Sequence, residues 1–86
     1  MSTVTLYRHA ANYLKRLPKD SKNQIKDVLK QLEDNPLTHS GIKEMFGEWA
    51  GYHRMRAGKL RIIFWFDAKE DIVYDDHIGP RGDVYK

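Results

Sequence analysis

The sequence predicts an α+β domain, in which an N-terminal strand and a helical hairpin pack on one face of an antiparallel sheet. Two periodicities and a set of breaks predict it. From Ala10 to Leu32 the apolar residues recur at helical spacing, and from Tyr52 to Phe66 side-chain character alternates residue by residue. Pro18 and the pair Asn35-Pro36 punctuate the helical half, while Gly58-Lys59 punctuates the other. With 86 residues, one core is all the chain can build, so residues 1–86 are expected to form a single domain.

The elements follow in order. Thr3-Val4-Thr5-Leu6-Tyr7 is β-prone, with branched and aromatic residues. Ala10, Tyr13, Leu14 and Leu17 stand at i, i+3, i+4 and i+7, a helix that Pro18 ends. The pattern restarts near Lys19, with Ile25, Val28, Leu29 and Leu32 at the same spacing and the lysines on the opposite face. Asn35-Pro36 stops it, because the residue before a proline is pushed out of helical geometry. Residues 37–48, of mixed polarity with Gly41 and Gly47, read as a loop. Three strands follow: one from Tyr52 to Ala57, one from Leu60 to Phe66, and one from Asp71 to Ile78 before a bend at Gly79-Pro80. Their short links imply an antiparallel meander.

Alternation then assigns faces. Leu60, Ile62, Phe64 and Phe66 form the more apolar side and should cover the helices, leaving Arg61, Ile63 and Trp65 on the open side. Met55 places its own face inward, which sends Tyr52, Arg54 and Arg56 outward beside Arg61.

Charge is unevenly spread. The net value is +3. Residues 1–30 hold seven basic side chains against two acids, and residues 51–61 hold Arg54, Arg56, Lys59 and Arg61 with no acid. Two basic zones on so small a domain point to a polyanion or an acidic protein as partner, and arginine favours phosphate through its planar fork of donors. Tyr52, Trp65 and Tyr85 could stack bases beside it. The plainer reading pairs the arginines with Glu48, Asp75 or Asp76 as cross-strand ion pairs.

Several classes are set aside. There is no cysteine, which excludes disulfides and thiolate sites. The longest apolar run, Ile62–Phe66, is far short of the ~20 residues of a membrane-spanning helix. The N-terminus has no signal-peptide pattern, so a cytoplasmic location with no membrane partner is expected. Asp75 and Asp76 alternate to opposite faces, so no metal site and no cofactor are expected. No phosphate-binding glycine loop or Ser-His-Asp arrangement occurs.

The chain resembles the RelE/ParE toxin superfamily, on its RelE-like side. The likeness is carried by Leu17-Pro18, Asn35-Pro36, the run Arg54-x-Arg56-x-Gly58-x-Leu60-Arg61-Ile62-Ile63, and the ending Ile78-Gly79-x-Arg81-Gly82-Asp83-Val84-Tyr85. It implies two N-terminal helices on a four-stranded, mostly antiparallel sheet. It also implies the toxin of a type II toxin–antitoxin system: an endoribonuclease that cuts mRNA on the translating ribosome, in contact with 16S rRNA. A cognate acidic antitoxin would silence it in a hetero-oligomer that binds operator DNA through the antitoxin. The alternative within the superfamily is a ParE-like DNA gyrase poison that hydrolyses nothing.

The resemblance maps the family's site onto Arg54, Arg56, Arg61, Arg81 and Tyr85. Arg61 would hold the scissile phosphate, and Arg81 the phosphate or leaving oxygen. Arg54 would act beside them, Arg56, Lys59 and Tyr52 would bind neighbouring substrate groups, and Tyr85 would orient the nucleotide or relay a proton. Arginine is a poor proton acceptor, its pKa lying above ~12. His77 and Glu48 are therefore the reserve candidates for acid and base.

Overall fold

The computed structural model describes residues 2–34 and 41–80. The expected α+β architecture is present. In chain order it comprises β1 (Thr3–Leu6), α1 (Arg8–Arg16), α2 (Lys19–Asp34), β2 (Ile42–Glu44), a short 3₁₀ turn (Gly47–Trp49), β3 (His53–Ala57), β4 (Leu60–Asp67) and β5 (Ile72–Pro80). The strands form one sheet in the order β1-β5-β4-β3-β2, antiparallel except for the parallel pair β1–β5.

That order explains the helical hairpin. β1 and β2 lie at opposite edges, so the chain between them must cross the whole sheet. Four inter-strand gaps of ~4.8 Å separate the edges by ~19 Å. The 16 residues of α2 span roughly 24 Å at 1.5 Å per residue, enough for the crossing. α2 accordingly touches both β1 and β3, while α1 packs on β5. Leu17 ends α1 in extended conformation, its N–H donating to the Leu14 carbonyl at 3.2 Å, and Pro18 separates the two helices. Among the described residues no helix is long and apolar enough to cross a membrane.

The core lies between the helices and one sheet face. Ala10, Ile25, Val28, Leu29 and Leu32 meet Met55, Ala57, Leu60, Ile62, Phe64, Val73 and Ile78, with Tyr13, Leu14, Leu17 and Phe66 packed around them. This is the face that alternation assigns. Phe64, Ile62 and Ile25 are fully buried, each contributing about 1.5–3 kcal/mol through removal of apolar surface from water.

Three local features differ from expectation. The loop expected over residues 37–48 contains β2, a fifth strand, and the 3₁₀ turn. Ile42 and Lys43 gain order by pairing with Met55 and Arg54 rather than from any periodicity of their own. The bend expected at Gly79-Pro80 is absent, since β5 continues through Pro80, which pairs with Leu60. β1 pairs only with Ile72–Asp75, so a proline at the last position of β5 disrupts no ladder on that side. The third feature is a bulge. Ile63 pairs with His77 but Phe64 with Asp75, leaving Asp76 as an extra residue.

The turns are locally determined. Between β4 and β5 the Asp67 Oδ1 accepts hydrogen bonds from the N–H groups of Lys69 and Glu70, both at 3.1 Å, and Asp71 takes a left-handed conformation at φ 58°. Ser2 closes over that turn, its hydroxyl donating to Asp71 Oδ1 at 2.5 Å. Between β3 and β4, Gly58 has φ +63°, and the Gln24 side chain of α2 occupies the space a Cβ would need. Gly58→Ala is therefore expected to destabilise the fold by about 1 kcal/mol or more, read as a lower denaturant midpoint.

Candidate functional site

Register across three strands builds the basic face. Lys43, Arg54, Ile63 and His77 occupy one cross-strand row, and Arg56, Arg61 and Gly79 the next. Neighbours in a row share a face, and Ile63 belongs to a cluster separate from the helical core, so both rows lie on the face away from the helices. The three guanidiniums that alternation grouped do converge. Arg54, Arg56 and Arg61 line one cleft of about 260 Å³ together with Lys43, Gly41 and Met55.

Their exposures differ. Arg56 is exposed, Arg54 half-buried, and Arg61 only 5% exposed. Arg54 and Arg61 each have a partner. A cation as deep as Arg61 is costly unless hydrogen-bonded and paired, so its surroundings must favour anionic groups. A second cavity of about 350 Å³, lined by Arg56, Gly58, Lys59, Leu60 and Pro80, continues the basic surface around the hairpin tip and includes Lys59. Lys43 is a cleft residue that sequence reasoning missed, because only its pairing within β2 places it opposite Arg54.

The rest of this face is aromatic and partly covered. Met45 and Ile63 are buried under Trp49 and Tyr52, whose rings meet edge-on with centroids 5.1 Å apart. Tyr52 is thus in a small apolar cluster and does not line the arginine cleft. Its hydroxyl donates to the Asp76 carboxylate. Burial first, then the nearby Asp76 charge and Tyr7, raise its pKa. Trp65 stacks on Tyr74 at 4.4 Å, and its indole N–H donates to the Tyr7 hydroxyl at 3.2 Å.

Between the arginine cleft and this aromatic strip lie two histidines. His9, at the start of α1, has its Nε2 3.6 Å from Asp76 Oδ1. Its ring centroid is 6.0 Å from that of His77. The His77 Nε2 lies over Gly79, 2.9 Å from where a Cβ there would stand. His9 carried no motif, and its approach to His77 depends on how α1 leaves β1.

The acids expected as possible arginine partners are placed as follows. Glu48 lies exposed on the 3₁₀ turn and lines neither cavity. Asp76 lies against His9 and Tyr52. Asp75 faces the helical core, fully buried, with neither carboxylate oxygen hydrogen-bonded. Burial, reinforced by the Asp76 charge, raises its pKa to about 8; the His77 backbone N–H is near enough to oppose the rise only weakly, without reaching hydrogen-bond geometry. Arg81 and Tyr85 lie outside the described residues. Among the described residues no group of three metal-ligating side chains occurs.

A strand followed by a helical hairpin that crosses one face of a mostly antiparallel sheet is the RelE-like architecture. Solved structures bear this out, although no family profile and no curated protein matches the chain by sequence. A chain of the toxin–antitoxin complex RelBE2 from Mycobacterium tuberculosis superposes with a TM-score of 0.82 at 23% identity, covering 93% of this chain and 98% of that one. The archaeal RelE–RelB complex from Pyrococcus horikoshii OT3 gives 0.81 at 22% identity, over 95% and 97%. The isolated E. coli RelE toxin gives 0.79 at 15% identity, over 99% and 92%.

Proposed function

We propose that this protein belongs to the RelE/ParE superfamily and is the toxin of a type II toxin–antitoxin system, a metal-independent endoribonuclease acting on mRNA at the translating ribosome. The observation that carries this reading is the convergence of Arg54, Arg56, Arg61 and Lys43 on one cleft of the sheet face opposite the helices. The shared fold supports it.

The chemistry follows from the charges. The ribose 2′-oxygen attacks the adjacent phosphorus, the bond to the 5′-oxygen breaks, and the products are a 2′,3′-cyclic phosphate and a 5′-hydroxyl. Negative charge grows on the non-bridging oxygens in the transition state. Arg61, set deep in the cleft, stabilises that charge, while Arg54, Arg56 and Lys43 hold flanking phosphates. Arg81 and Tyr85 are assigned to the same reaction through the resemblance alone. A single strand suits the cleft better than a duplex, because the Met45–Tyr52 segment covers part of the same face.

Two of the three solved structures named above are complexes, that of RelE with RelB and the RelBE2 toxin–antitoxin pair. A cognate acidic antitoxin fits the exposed basic residues Lys15, Arg16, Lys19, Lys26 and Lys30 of the hairpin. The complex would bind operator DNA through the antitoxin, and the toxin would work in the cytoplasm. Primer extension on transcripts after induction tests the reading. Discrete codon-linked stops are the expected result. DNA breaks with intact transcripts would instead assign the protein to the gyrase poisons.

A further inference from the structure

Resting on the ribonuclease reading, the structure also points to a proton acceptor that arginines cannot supply. We propose that His77 takes the 2′-hydroxyl proton and that His9, held against Asp76, is its positioning residue.

Three observations carry this. The bulge at Asp76 turns His77 onto the face of the arginine cleft, in the row of Lys43 and Arg54 and next to the row of Arg61. Gly79, opposite Arg61, leaves open the space over which the His77 imidazole lies, which brings Nε2 toward the Arg61 row. From the other side, the His9 ring centroid lies 6.0 Å from that of His77, and Asp76, which also accepts from Tyr52, lies 3.6 Å from the largely exposed His9 imidazole. His77 thus lies between α1 and β4, beside His9 and next in chain to Asp76, at the margin of the arginine cleft and one cross-strand row from Arg61. Imidazole as a class can take up and release a proton near neutral pH, which guanidinium, always protonated, cannot.

In the step itself, the 2′-oxygen–phosphorus bond forms as the hydroxyl proton passes to the His77 imidazole. The phosphorus–5′-oxygen bond breaks, and the 5′-oxygen takes a proton from water. The imidazolium then returns its proton to solvent, so no other reactant is consumed.

The test is single-turnover cleavage of a defined mRNA on 70S ribosomes by the full chain. His77→Gln should lower the rate about 10²-fold, with melting temperature and ribosome affinity near wild type. His77→Ala should recover part of its activity in free imidazole, a response that a structural role would not produce. His9→Asn should lower kcat about tenfold while leaving KM unchanged. If His77→Gln cleaves at the wild-type rate, or imidazole fails to restore His77→Ala, while wild type cleaves and Arg61→Ala does not, the proposal is overturned and the ribonuclease reading stands. A wild-type protein that cleaves no RNA overturns both.

Discussion

Arg61→Ala is expected to lower single-turnover mRNA cleavage by about 10²–10³-fold and to abolish growth arrest on induction. Loss of one preorganised donor to a developing oxyanion typically has that effect. Arg61 is the cleft arginine best suited to such a role. It lies on a central strand, paired on both sides by Arg56 and Gly79, and is nearly withdrawn from water, where its charge is screened least. Arg61→Lys keeps the charge but loses the planar fork, so it should recover only a small part of the rate. Circular dichroism separates this from unfolding, since the residue lies outside the helical core. A wild-type cleavage rate in a folded Arg61→Ala protein would remove Arg61 from the site.

Asp75→Asn should change the pH dependence of stability. The Asp75 carboxyl titrates near pH 8 in the fold, against about 3.8 as the ordinary value. Below the lower value both states are protonated and the group is neutral in effect. Between the two values the unfolded chain ionises while the folded chain holds its proton, so stability falls as pH rises, by about 1.4 kcal/mol per unit. From pH 5 to pH 7 that amounts to roughly 3 kcal/mol, levelling off above pH 8. Asparagine cannot ionise, but it leaves an unpartnered amide in the same buried place. The variant should therefore be less stable than wild type near pH 4 and more stable near pH 8. Denaturant midpoints across that range would show the curves crossing. Parallel curves would show that Asp75 does not hold its proton in the fold.

Much of the architecture was legible because burial leaves a period in the sequence. The stripe Ile25, Val28, Leu29, Leu32 and the alternation Leu60, Ile62, Phe64, Phe66 each mark one face against one core, and both assignments hold. Arg54, Arg56 and Arg61 were grouped by the same logic. What escaped was whatever depends on partners distant in the chain. β2 is three residues long and is ordered by β3, so Lys43 had no signal of its own. The depth of Arg61 depends on the elements flanking its cleft. His9 reaches the site only because β1 pairs with β5 and turns α1 toward it. Asp75 reads as one more acid in a polar strand, and nothing in its neighbours reveals that the core closes over it.

The single unpaired residue in β5 sets which way the end of the molecule faces. Before it, Val73 and Asp75 lie under the helices; after it, Ile78 takes that position, and His77 and Gly79 lie on the opposite side. Taking Asp76 into the ladder as a regular residue would turn the remainder of the strand over, driving an imidazole into hydrocarbon and an isoleucine into the cleft, whereas excising it would leave His77 and Ile78 on their present faces. The face that each residue of this segment presents is therefore set by pairing register, and a one-residue slip there would rebuild both the core and the cleft.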